Sequence, residues 1–255
     1  MSHYITTLAR LTLLEALRTR LGLVLVVVLA AGGGVAALLG QVAITETREI
    51  QAVLAAAFFR FAAVLMVAVF VIVSQARESA DKGLELLLSL PMSRTPYLLV
   101  KLTGYTATAW LAAAVLCLPL LVLAPTGPVV AWGLSLGFEL TLVAAASLFF
   151  AMTLTQVPAA LAAIVGFYLL SRSMAALQLI GASSILEEGI AQQAMNFALN
   201  IIANVLPRLD LFTQSAWLTD SAGAFAQLPG IFLQAAAYGA LLCGGALFDL
   251  HRKNF

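Results

Sequence analysis

Charge is what this 255-residue chain has least of: Asp, Glu, Lys and Arg make up 10% of it, where a soluble domain carries about a quarter. Hydrophobic residues make up 62% and mean hydropathy is +1.03, which excludes an ordinary water-soluble globule. Histidine is nearly absent. His3 and His251 stand at the two chain ends, so no span holds a Ser/His pair, an HExxH zinc site or an axial haem ligand. The four aspartates, Asp81, Asp210, Asp220 and Asp249, all fall outside the apolar runs, which argues against an aspartyl intramembrane protease. There is no GxxxxGK[ST] loop, so ATP cannot bind here by that route. Cys117 and Cys243 lie within apolar stretches and read as small core residues. The formal net charge of +1 gives no basic field for nucleic acid.

What is present is a series of long apolar runs, each near the roughly 20 residues that a spanning helix needs. They lie at about 21–41, 52–74, 98–123, 129–153, 158–180 and 229–248. They lack the alternation of a barrel strand, so the expected fold is all-α, a polytopic membrane protein of six transmembrane helices forming one membrane domain over 1–255. Ala124 to Pro128 reads as the turn between the third and fourth spans, and Pro158 as a first-turn proline. The first run follows Arg18 and Arg20 like a signal peptide. It exceeds the usual 7 to 15 residue apolar stretch, so an uncleaved helix is expected.

Orientation follows from where the few charges fall. With both termini cytoplasmic, the inner side holds Arg10, Arg18, Arg20, Arg77, Lys82, Arg94, Lys101, Arg252 and Lys253, and the outer loops only Arg48 and Arg208. That asymmetry is the positive-inside pattern of a multi-pass membrane protein, and the expected location is the bacterial cytoplasmic (inner) membrane. Arg60 and Arg172 fall within spans. Glu139 does too, about ten residues into the fourth span, while Arg60 is about eight into the second. Their depths differ by only about 3 Å at ~1.5 Å per residue, so an Arg60–Glu139 pair is expected, either fixing helix packing or lining a substrate path. Such a pair predicts non-additive losses when both are replaced. Gly133 and Gly137 form a GxxxG, read as close packing within the chain rather than a dimer seam.

Two segments are too polar or too short to span. Between the second and third spans, residues 77–90 place Glu78, Asp81, Lys82, Glu85 and Ser89 on one helical arc and Ala80, Gly83, Leu84, Leu87, Leu88 and Leu90 on the other. This predicts an amphipathic cytoplasmic helix stopped at Pro91, whose mixed-sign polar face suits a protein partner better than lipid. On the outer side, Ala194 to Leu206 predicts a re-entrant or surface-lying helix ending at Pro207, with Phe212 and Trp217 as headgroup anchors.

The stretch ESADKGLELLLSLPMSRTPYLLVKLTG, Glu78 to Gly104, resembles a recurrent segment of the type-2 permease subunits of ATP-binding-cassette (ABC) transporters. That segment has an acidic residue, Lys-Gly, a Leu-rich helix, Pro, then Ser-Arg and a Lys that re-enters the membrane. The six-span order matches as well. The resemblance implies a coupling helix, with Glu78, Asp81, Lys82, Gly83, Glu85, Pro91 and Arg94 at the docking groove of a separate ATPase subunit. It further implies a second permease copy or paralogue, ATP and magnesium held by the partner rather than by this chain, and export of a substrate whose class it does not fix. A non-transporting membrane anchor or assembly factor and an ion-coupled carrier stay open as alternatives.

Overall fold

The computed structural model describes residues 21–42, 47–80, 94–154, 156–182, 190–219 and 223–252. Every regular element among them is helical: α1 (Leu21–Val42), α2 (Thr47–Ala80), α3 (Arg94–Leu123), α4 (Thr126–Thr153), α5 (Val157–Ala182), α6 (Ile190–Val205) and α7 (Ala224–Arg252), with two 3-10 turns at Leu209–Leu211 and Ser215–Leu218. All but α6 are long and apolar enough to cross a membrane, which makes the chain a six-span helical membrane protein. Inner and outer ends are named here by the charge assignment.

The helices outrun the apolar segments that announce them. α2 has 34 residues and α3 has 30, so they extend about 51 and 45 Å, well past a hydrocarbon core of about 30 Å. Hydropathy sees only the part that meets lipid; hydrogen bonding carries the helix on. Of the expected turn at 124–128, only Ala124 and Pro125 break the helix, because Pro128 falls in the first turn of α4, where no N–H is needed. The sixth span starts at Ala224 rather than Pro229. Pro229 sits inside α7, where its missing N–H leaves the Phe225 carbonyl without its helical bond.

α4 is the centre of the bundle. It packs against α2, α3, α5 and α7, and 17 of its 28 residues are buried. α1, only 11% buried, leans mainly on α2. Gly133 and Gly137 of α4 serve its contact with α3: a Cβ on Gly133 would strike Cys117, and one on Gly137 would come within 2.8 Å of the Trp110 ring. The GxxxG is therefore an intramolecular seam, closed by Trp110 Nε1 donating to Thr141 Oγ1 at 3.2 Å. Gly137→Leu is expected to push Trp110 away and cost roughly 1–3 kcal/mol. Thermal unfolding in detergent reads this directly, and a variant as stable as the parent contradicts the seam.

Candidate functional site

The outer half of the bundle holds a polar cluster where α2, α4 and α5 meet. The segment that follows α6 descends into it. α6 itself packs on α5 and leaves Phe197, Ile201 and Val205 exposed, so it is the surface-lying element. The re-entrant element is instead the stretch after Pro207. Leu209, Phe212, Thr213, Trp217 and Leu218 are all buried in protein, so Phe212 and Trp217 are core residues and not headgroup anchors. Their apolar surface fills the mouth of the helix bundle, which gains more than exposure at the interface would.

Two arginines hold this segment by its backbone. Arg60 of α2 donates from Nη1 to the Thr213 carbonyl at 2.9 Å. Arg172 of α5 donates from Nη1 to the carbonyls of Leu209 and of Phe212, the latter at 2.7 Å. Ser135 Oγ on α4 accepts the Thr213 N–H at 2.8 Å. Ser135 lies nine residues into α4, so the tip of the segment reaches about 13 Å below that helix's outer start. Thr213 adopts φ 45°, a conformation that a β-branched residue rarely takes and that costs of order 1–3 kcal/mol. Both of its backbone polar groups are clamped, by Ser135 and by Arg60, which is what holds it there.

Glu139 is fully buried on α4, one helical turn below Ser135. The expected Arg60–Glu139 pair is not what forms. The Glu139 carboxylate lies 3.8 Å from Arg172 Nη1 and accepts a 2.9 Å hydrogen bond from the Tyr168 hydroxyl. The reason is the loop. Its carbonyls sit between the helices and take Arg60, while Arg172 reaches both those carbonyls and the carboxylate. Arg60 Nε, Glu139 Oε2 and the hydroxyls of Ser171 and Thr213 are buried with no hydrogen-bond partner among the described residues. Two guanidiniums, one carboxylate and several unfilled polar atoms make a site that suits water or a polar ligand.

Sequence reasoning singled out Arg60 and Glu139 but gave no role to Arg172, Tyr168, Ser135 or Thr213. Arg172 carried a usable signal, being a third charge inside a span.

At the inner end, a second polar set fastens α2 to α3. Lys101 Nζ lies 2.6 Å from Glu78 Oε2, both side chains largely buried, and Nζ also stands 5.9 Å from the centre of the Tyr105 ring. The Tyr105 hydroxyl donates to Ser74 Oγ at 3.3 Å. Of the residues expected at an ATPase groove, Glu78 is thus committed to Lys101. Arg94 begins α3, and Asp81, Lys82, Gly83, Glu85 and Pro91 lie outside the described residues, as does most of the expected helix 77–90. The described residues contain no group of three or more His, Cys, Asp or Glu placed to hold a metal.

No family model matches the chain, and no curated protein matches it either.

Proposed function

We propose that the chain is the membrane-spanning permease subunit of an ABC transporter, acting in export. A separate ATPase subunit holds ATP and magnesium, and a second permease copy or paralogue completes the pathway in the bacterial inner membrane. The observation that carries this reading is the base of the α2–α3 hairpin. Both helices run past the hydrocarbon core, and the Glu78–Lys101 ion pair locks them together at the inner end, where residues 81–93 connect them.

A connector clamped between two long helices transmits a push as helix tilt rather than losing it in a loose loop. The mixed-sign composition of 78–94, with Glu78, Asp81, Lys82, Glu85 and Arg94, supports a protein groove as what pushes. α2 also carries Arg60 into the outer cluster, so tilting α2 would pull on the carbonyl of Thr213. In this reading the re-entrant segment is the outer gate and α2 links it to the ATPase.

A photo-reactive residue in place of Glu85 tests the docking step in native membranes. The expected product is an adduct to an ATP-binding protein; a second probe placed at Asp81 is expected to give the same adduct with Glu85 present and to lose it with Glu85→Arg. Adducts to lipid alone would overturn the assignment of 81–93 as a coupling element.

A further inference from the structure

α1 and α2 do not close against each other at their inner ends. Between them runs an open apolar groove of about 480 Å³, walled by Leu21, Val24 and Val28 on α1 and by a strip of α2 that includes Ala62, Met66 and Val69. At its inner end stand Ser74 and Arg77. The lining is apolar from Ala62 to Val73, about 16 Å along the helix axis, which matches half of a ~30 Å hydrocarbon core. Arg77 lies about 22 Å from Ala62, at the depth where half of a ~40–45 Å bilayer places the headgroups.

Among the described residues, no acidic group answers the charge at that end. Arg77 is exposed and forms no ion pair among the described residues, while its neighbour Glu78 is taken by Lys101. We propose that the groove binds one acyl chain of an anionic phospholipid from the inner leaflet, with the lipid phosphate on the Arg77 guanidinium. The match is to a single leaflet and a single negative headgroup. A second copy of the chain inserted in the same orientation would bring its own basic inner rim to Arg77, a like-charge contact that disfavours it as the occupant. The site is a lipid seat on the outside of the helix pair, and it stands whether or not an ATPase drives the chain.

The test uses the whole chain in vesicles of phosphatidylcholine containing a minor fraction of phosphatidylglycerol, with bromine on the acyl chains of only one of the two lipids. Val69→Trp reports from the groove and Leu233→Trp from exposed α7, each as signal added to the parent. Brominated phosphatidylglycerol is expected to quench the tryptophan at 69 at least twofold more than that at 233, and Arg77→Ala is expected to abolish the difference. Brominated phosphatidylcholine is expected to quench both about equally. Equal quenching by phosphatidylglycerol at the two positions, or a preference that survives Arg77→Ala, overturns the proposal. So does a tryptophan at 69 that neither lipid reaches: cross-linking of Val69→Cys between copies would then identify a second copy as the occupant, and recovery of quenching on removing residues 1–20 would identify that segment.

Discussion

Arg172→Ala is expected to destabilise the protein by about 3–5 kcal/mol, Glu139→Ala by a similar amount, and the double variant by clearly less than the sum. Removing either partner strands the other: the Glu139 carboxylate is fully buried and already has one oxygen without a partner among the described residues, and Arg172 also supports two loop carbonyls. Arg60 and Glu139 share no ion pair and are linked only through the loop and Arg172, so their cycle is expected to show weaker coupling than that of Arg172 and Glu139. The loop provides a second readout. Arg208 is exposed at its start, and with Arg172 gone trypsin should cut there several-fold faster. Strong coupling in the Arg60–Glu139 cycle, with none between Arg172 and Glu139, would contradict the geometry.

Lys101→Glu is the second large effect. It sets two carboxylates together at a site where both native side chains are mostly covered, and roughly 3–5 kcal/mol is expected from breaking a buried pair in this way. The swapped variant, Glu78→Lys with Lys101→Glu, restores opposite signs and is expected to recover at least half of that loss. Unfolding in detergent measures the stability term. Under the proposed function, ATP hydrolysis by the partner would read the other consequence, since a hairpin that is stable but unclamped should transmit less motion. A swap no better than Lys101→Glu alone would mean that the pair contributes through packing and not through charge.

Much of this architecture was written in hydropathy. Six runs became six helices, since a span must be apolar over a fixed length whatever it packs against. The helix ends were less legible, because α2, α3 and α7 continue by hydrogen bonding into polar or proline-bearing sequence that a hydropathy count stops at. The GxxxG of α4 was legible because only glycine permits the approach of Trp110 and Cys117. The cluster was half legible. Arg172 lies eight residues from the outer end of its expected span at 180, as Arg60 lies eight from 52, so depth arithmetic applied to all three charges would have placed them in one layer. What no such arithmetic supplies is the loop. That the backbone of 209–213 would enter the bundle and take Arg60 away from Glu139 depends on long-range packing of Leu209 and Phe212, residues that look like any other apolar pair.

The account rests most on the claim that this chain is moved by a separate ATPase through the α2–α3 connector. The direct measurement is gentle extraction of the tagged chain from its native membrane, followed by assay of the purified material for vanadate-sensitive ATP hydrolysis. The account predicts an ATP-binding subunit in stoichiometric amount with the parent chain, and its loss, with the chain itself still folded, when residues 81–90 are replaced by a flexible linker. A folded parent chain that retains no ATPase, or one that retains it equally well without the connector, would contradict the claim.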